Sequence, residues 1–234
     1  MKLEFQECDV SQISKINALF MIPAASRDAN WYESFQLTAP NASFKLDSPN
    51  LVVGPDNRQY LSLRSPEPNI GFEAYSIHNL AETALLNGVG VVLNFIDGQA
   101  DFVFRYGDLL DYAWNKRFFV FDSKKPVLTE EVEALGQEFM VGSPSESYFP
   151  TAARKVIKKH LESKENLNNI GVLLRIKGGK TPTRELIFSI YPEDYSDKNQ
   201  LKIILDRIAW FLPSDYILSS ASKTPAFTHH FSPL

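Results

Sequence analysis

Cysteine is nearly absent from this sequence: Cys8 is the single one in 234 residues. One cysteine cannot form an internal disulfide, and it cannot build a zinc site that needs several thiolates. No apolar run reaches the roughly 18 residues that a membrane span requires. Glu4, Glu7 and Asp9 precede the first apolar run, where a signal peptide would carry positive charge. These absences predict a cytoplasmic protein that has no membrane contact.

An excess of positive charge is also missing. The chain carries 24 Lys and Arg against 28 Asp and Glu, so its formal net charge is -4. A general nucleic-acid binder needs clustered cations that displace phosphate counterions, so we expect no nucleic-acid partner. Hydrophobic residues make up 44% and charged residues 22%, which is typical of a folded globular chain. The length allows one large domain or two small ones.

The second half of the chain has the clearer pattern. Apolar residues recur at three- and four-residue spacing from Thr151 to Ser163 and again from Leu201 to Leu212, which predicts two helices. Short runs of branched and aromatic residues precede, separate and follow these helices, which predicts four strands. The order strand, helix, strand, strand, helix, strand is that of a ferredoxin-like (split βαβ) fold.

The first half is less regular. Apolar residues at helical spacing predict a helix between Cys8 and Met21, whereas the prolines and small polar residues of 23–49 predict a long loop. Strands and a helix that ends at Gly88 follow. We therefore predict an α+β protein. Its parts are an irregular N-terminal α+β domain over 1–136, a ferredoxin-like C-terminal domain over 137–220 and an extended tail over 221–234.

A Gly-Gly-Lys-Thr run at 178–181 looks like the end of a phosphate-binding loop. Such a loop needs a glycine where Leu174 stands, and it needs a helix after it. Here Pro182 and a predicted strand follow instead. Gly178 and Gly179 therefore predict a hairpin turn between two antiparallel strands, with no bound nucleotide.

Several of these segments together resemble one family. The string Tyr60-Leu61-Ser62-Leu63, a helix, and then Gly88-Val89-Gly90-Val91-Val92-Leu93-Asn94 resemble the N-terminal domain of the SseB family, named for enhanced serine sensitivity. The turn Val141-Gly142-Ser143-Pro144, the basic helix after it and the stop at Leu212-Pro213 resemble the family's C-terminal domain. The resemblance implies a soluble bacterial protein of two domains without an established activity.

A short serine-rich turn precedes the basic helix. Ser143, Ser145 and Ser147 lie there without a histidine close in sequence, so they do not form a recognisable nucleophile site. Their ordinary role is to satisfy backbone groups ahead of the helix. The functional alternative is that they and the free N–H groups at the helix start bind a small anion.

Metal and cofactor sites are not indicated by the sequence. His229 and His230 are adjacent, and in an extended segment their side chains point in opposite directions, which is poor geometry for a chelate. We accordingly predict no metal site, no cofactor and no catalytic residue.

The last predicted helix carries apolar residues on two sides. At about 100° per residue, Ile203 and Trp210 fall opposite the main apolar stripe. Large apolar residues outside the core usually mark a contact, and Trp and Arg dominate binding energies, so Ile203, Arg207 and Trp210 form a candidate protein interface.

The sequence therefore favours a non-enzymatic protein-binding or regulatory module. Its predicted partner is another protein or a second copy of the chain. The alternative is a small-ligand sensor or an enzyme with a pocket at the interdomain cleft, near the serine-rich turn. Perturbed carboxylates or histidines lining such a cleft would favour this alternative.

Overall fold

The computed structural model describes residues 7–67, 69–119, 139–178, 182–220, 222–223 and 225–234. The chain divides into two compact units, Met1–Phe121 and Asp122–Leu234, each with its own sheet. The domain boundary predicted at residue 136 lies outside the described residues. Within the described residues, no helix has the length and apolar character needed to cross a membrane.

The first unit combines helices with a four-stranded sheet. The strand order is β1-β2-β3-β4; the two outer pairs are antiparallel and the central pair is parallel. Its elements are α1 (Val10–Phe20), a 3-10 turn (Ala24–Ser26), α2 (Ala29–Thr38), β1 (Lys45–Val53), β2 (Gln59–Arg64), α3 (Ile77–Asn87), β3 (Gly90–Leu93), β4 (Phe102–Phe104) and α4 (Tyr106–Asn115).

Side-chain caps start the first three helices. Asp9, Asp28 and Ser76 each accept a hydrogen bond from the backbone N–H three residues later, which satisfies one of the free donors of the helix. The third helix ends at Gly88, whose φ of 69° is left-handed, so the predicted stop is confirmed.

The prediction of a long loop over 23–49 is wrong. This stretch contains α2 and the start of β1. The helix forms because Trp31, Phe35 and Thr38 share one face and are buried there. Phe35 stacks on Phe104 at 5.7 Å between ring centroids, so the helix is held to the sheet by aromatic packing. Prolines bracket this helix and do not interrupt it.

The second unit also combines helices with a mixed sheet. The strand order is β5-β6-β7-β8, and β9 pairs with β6. Its elements are β5 (Phe139–Gly142), α5 (Thr151–Lys164), β6 (Gly171–Lys177), β7 (Thr183–Phe188), a 3-10 turn (Pro192–Asp194), α6 (Lys198–Ala209), β8 (Ile217–Ser220), α7 (Pro225–Thr228) and β9 (Ser232–Pro233).

The six predicted elements of this unit are present in the predicted order, but their pairing is not that of a split βαβ fold. In a split unit, another strand lies between the two strands that a helix connects. Here α5 connects the neighbouring antiparallel strands β5 and β6, and α6 connects the neighbouring parallel strands β7 and β8. The α+β class holds, and the ferredoxin-like strand order is corrected.

A hairpin joins β6 to β7. The two strands are antiparallel with Lys177 opposite Thr183, so a strand and not a helix follows the Gly-Gly-Lys-Thr run. Residues 179–181 of the turn lie outside the described residues.

Both units contain a hairpin, a helix and a third strand parallel to the second. These are β1-β2-α3-β3 in the first unit and β6-β7-α6-β8 in the second. The tail predicted as extended differs from expectation, because it contains α7 and β9.

Candidate functional site

An apolar pocket lies on one face of the first unit's sheet. Its volume is about 280 Å³. It is lined by Val52, Gly54, Pro55, Asp56, Tyr60, Val92, Phe95, Gly98, Ala100 and Val103. All of these residues belong to the first unit.

Strand register explains why these residues meet. Tyr60 and Val52 are partners on β2 and β1, and Val92 and Val103 are partners on β3 and β4. Side chains alternate between the two faces of a sheet. The residues next to them, such as Leu61, therefore share the face of Phe104, on which Phe35 of α2 packs, and these four point to the opposite face.

A hairpin turn forms one wall of the pocket. The N–H of Gly54 donates to the carbonyl of Arg58 at 2.9 Å, and Asn57 takes a left-handed φ of 60°. The side chain of Asp56 stabilises this turn through two hydrogen bonds. Its Oδ1 accepts from the Arg58 N–H at 3.1 Å, and its Oδ2 accepts from the Tyr60 hydroxyl at 2.6 Å. The carboxylate is therefore held at the rim of the pocket.

A second tight turn also contributes to the lining. Ile96 and Gln99 exchange two backbone hydrogen bonds around Asp97 and Gly98, whose φ angles are 50° and 80°. Positive φ at both central residues is typical of a type I′ hairpin turn. The turn places Phe95 and Ala100 beside the sheet.

Two glycines let the Tyr60 ring lie close to the backbone. A Cβ atom on Gly90 would sit 2.6 Å from the Tyr60 ring and 2.5 Å from the Phe104 carbonyl oxygen. A Cβ atom on Gly54 would sit 2.8 Å from the same ring. Real Cβ atoms do not approach this closely, so the position of Tyr60 depends on both glycines.

The chemistry of the pocket suits an apolar group with one hydrogen-bond donor. Aliphatic and aromatic side chains supply most of the lining, and Asp56 supplies a carboxylate. A carboxylate can accept about four hydrogen bonds, and Asp56 accepts one from the Arg58 N–H and one from the Tyr60 hydroxyl.

The serine-rich turn lies in the second unit and is exposed. The hydroxyls of Ser145 and Ser147 are 3.1 Å apart and hydrogen-bond to each other, and Ser143 is exposed. Glu146, not a serine, caps α5: its carboxylate accepts from the N–H and the hydroxyl of Thr151, both at 2.8 Å. These hydrogen bonds lower the pKa of Glu146.

The Glu146 carboxylate affects the prediction that the serine-rich turn binds an anion. A helix start attracts an anion through its free N–H groups. Here a carboxylate of the chain itself already takes the Thr151 N–H, so an added anion would compete with Glu146 and be repelled by it. The structure brings the three serines into one turn, and anion binding there stays a prediction.

The three interface residues predicted on α6 have different environments. Ile203 is 48% exposed, whereas Trp210 is only 8% exposed and caps the C-terminus of the helix. Arg207 pairs with Glu165 at 2.6 Å, which links α6 to the end of α5. The ring of Trp210 meets Phe211 edge-on at 4.8 Å. The interface itself stays a prediction.

Groups of metal-ligand type do not gather in the part of the chain that the structure describes. No three His, Cys, Asp or Glu side chains there form a cluster that could hold a metal ion. His78 Nδ1 lies 3.0 Å from the Tyr112 hydroxyl. Burial raises the pKa of Tyr112 and of Tyr106, but both tyrosines lie on α4 and neither lines the pocket.

The pocket was not predicted from the sequence. A usable signal was present, because Tyr60 and Val92 are apolar residues next to other apolar residues, Leu61 and Val91. Strands with one solvated face alternate apolar and polar residues.

No protein-family model, curated protein or solved structure matches this chain.

Proposed function

We propose that this chain is a non-enzymatic binding or regulatory module whose partner is another protein, and that the pocket of the first unit receives one aromatic side chain of that partner. The observation that supports this most is an apolar pocket that is partly open, with Val103 42% exposed at its edge.

The size of the pocket favours a side chain over a larger molecule. Sites for drug-sized ligands usually measure about 300–1,000 Å³, and this pocket is slightly smaller. A single aromatic side chain fits within such a space, since a cavity of about 150 Å³ already holds a benzene ring. The open side leaves room for the backbone that carries the side chain. Protein interfaces concentrate their binding energy in such buried aromatic anchors.

Asp56 favours an anchor with a donor. The indole N–H of Trp and the hydroxyl of Tyr can each donate to a carboxylate. Trp and Tyr are also the aromatic residues enriched at binding hot spots. A Phe anchor would fill the pocket but would leave Asp56 without this added hydrogen bond.

A small-ligand sensor or enzyme is the second candidate, and the same pocket supports it. The sequence located this alternative at the cleft between the domains near Ser143, Ser145 and Ser147, whereas the pocket described above lies within the first unit. A free indole-sized molecule would match its volume and lining. Resemblance to the SseB family, a bacterial origin and a cytoplasmic location stay predictions.

The two candidate functions make different predictions for an aromatic group that is joined to a peptide backbone. The test titrates the chain with free indole and with a capped pentapeptide that has one central Trp between glycines. Methyl resonances of Val52, Val92 and Val103 report occupancy of the pocket. The protein-binding function predicts that the pentapeptide binds at least as tightly as indole. Binding of indole without binding of the pentapeptide would favour the small-ligand sensor.

A further inference from the structure

The first strand forms an edge of the first unit's sheet. The strand order β1-β2-β3-β4 leaves one side of β1 without a paired strand among the residues that the structure describes. Pairing of β1 with β2 shifts register between Leu46 and Leu51, and Pro49 between them has no N–H to donate. The regular part of this edge is therefore the short run 51–53, directly before the turn that lines the pocket.

The backbone groups of Leu51 and Val53 point away from β2. The N–H of Gly54 donates to the Arg58 carbonyl at 2.9 Å, so these two residues form a hydrogen-bonded pair. Hydrogen-bonded and non-hydrogen-bonded pairs alternate along an antiparallel ladder. Val52 is therefore the next residue bonded to β2, and the N–H and C=O groups of Leu51 and Val53 face outward. Outside β2, no described residue hydrogen-bonds to either of them.

The side chains at this edge are open as well. Leu51 is 43% exposed and Val53 is 57% exposed, although both are apolar. The Val52 side chain points to the other face of the sheet and lines the pocket. A sheet edge with free backbone groups is a template for pairing with another strand. Here that template lies directly beside the pocket.

We propose that a partner protein adds an extended segment to this edge as an antiparallel strand, and that this strand carries the aromatic residue that the pocket receives. This inference rests on the proposed function and specifies how the partner binds. Hydrogen bonds from the main chain to an exposed sheet edge provide affinity, and pockets for alternate side chains provide specificity. Antiparallel pairing is favoured because it is slightly more stable per residue than parallel pairing.

The direction of the free groups sets the register of the added strand. The two residues that flank the aromatic residue exchange hydrogen bonds with Leu51 and Val53, which places the aromatic residue opposite Val52. Side chains that lie directly opposite each other share a face, so the aromatic side chain lies on the pocket face. Neighbouring strands are about 4.8 Å apart, so a Trp or Tyr side chain extends over Val52 towards Tyr60. The N–H of the aromatic residue itself faces solvent.

N-methylated peptides test this pairing with the full chain. The parent peptide is the capped pentapeptide with a central Trp between glycines. One derivative is N-methylated at both glycines next to Trp, whose N–H groups would donate to the edge. The matched control is N-methylated at Trp and at the last glycine, whose N–H groups would face solvent. We expect the first derivative to bind about tenfold more weakly, as the loss of two backbone hydrogen bonds implies, and the control to bind like the parent peptide.

A change in the chain tests the same contact from the other side. Val53→Pro removes one outward N–H and leaves the ladder to β2 intact, because proline is tolerated at an edge where its nitrogen faces solvent. Val53→Ala keeps the N–H and is the control. We expect Val53→Pro to weaken binding of the parent peptide and Val53→Ala to leave it unchanged. If Val53→Pro loses the circular dichroism of the parent chain, slower exchange of the Leu51 and Val53 amide protons on peptide binding provides the same test.

The outcomes separate this inference from the proposed function. Equal dissociation constants for the three peptides overturn the added strand and leave the pocket as the binding site for the aromatic side chain. A greater loss with the control than with the first derivative contradicts antiparallel pairing at this register. Failure of the parent peptide to bind contradicts the proposed function, and the inference with it.

Discussion

The hydroxyl of Tyr60 donates a 2.6 Å hydrogen bond to Oδ2 of Asp56, and this bond ties strand β2 to the turn that walls the pocket. Tyr60 is 5% exposed, so one residue is both a pocket wall and the support of the adjacent turn. The proposed binding function depends on this pre-formed geometry, because a fixed pocket loses less freedom when it binds.

Tyr60→Phe should separate the hydrogen bond from the packing. Loss of the bond should lower the free energy of unfolding by about 1 kcal/mol, the typical net value of one hydrogen bond. Tyr60→Ala also removes the ring, and it should cost about 3–5 kcal/mol. Denaturant unfolding of both variants measures this. If both variants lose the same free energy of unfolding, packing of the Tyr60 ring does not contribute to stability.

Gly90→Ala should destabilise the first unit. The added Cβ would lie 2.5 Å from the backbone oxygen of Phe104, which cannot move away as a flexible side chain could. Overpacking of this kind costs about 1–3 kcal/mol. Gly71→Ala is the matched control, because nothing lies within 4 Å of a Cβ there. A melting temperature that Gly90→Ala leaves unchanged would contradict the close packing of Tyr60 on this glycine.

Trp210→Ala and Ile203→Ala should differ in their effects on the free energy of unfolding and on self-association. Trp210 is buried, so its replacement should lower the free energy of unfolding by about 3 kcal/mol. Ile203 is half-exposed, so its replacement should change stability by no more than about 0.5 kcal/mol. If the outer side of α6 is a protein interface, Ile203→Ala should instead weaken self-association measured by sedimentation. Unchanged sedimentation together with unchanged stability in both variants would remove α6 from consideration as an interface.

Tyr148 should make the chain sensitive to alkali. Burial, with the nearby Asp215 carboxylate as a second cause, raises the pKa of Tyr148 to about 12. The unfolded chain ionises this phenol near pH 10, so the stability that comes from keeping it neutral is complete below about pH 10 and is lost as the pH rises to about 12.

The measurement for Tyr148 is the free energy of unfolding on both sides of pH 10. Tyr148→Phe cannot ionise, so its stability should fall less than that of the parent between about pH 10 and pH 12. The two chains should respond alike below that range. Parallel pH profiles throughout would mean that Tyr148 titrates at its ordinary value when folded.

Local patterns predicted most elements of the fold. The apolar spacing in α5 and α6 and the glycine after α3 identified three helices to within a few residues. Strand order could not be obtained in this way, because one sequence of strands and helices is compatible with several pairings. Helix α2 was missed because Pro23 and Pro40 outweighed the spacing of Trp31 and Phe35.

The pocket was harder to predict than the fold. Val52, Val92 and Val103 come from three strands and share a face only after those strands pair in one register. The serine-rich turn was located correctly, but the group that caps the helix is Glu146. An acidic residue between two serines gives little local indication that it will turn back to cap the helix.

The most direct test of the binding function is to fill the pocket and measure the loss of binding. Ala100→Leu adds apolar volume to the lining, and Ala18→Leu makes the same change at an exposed position on α1 as the control. The dissociation constant of the Trp-containing pentapeptide is measured for both variants and the parent. We predict that Ala100→Leu weakens binding about tenfold or more, which corresponds to a loss of about 1.4 kcal/mol, and that Ala18→Leu leaves it unchanged. Equal dissociation constants for all three chains would contradict the assignment of this pocket as the partner-binding site.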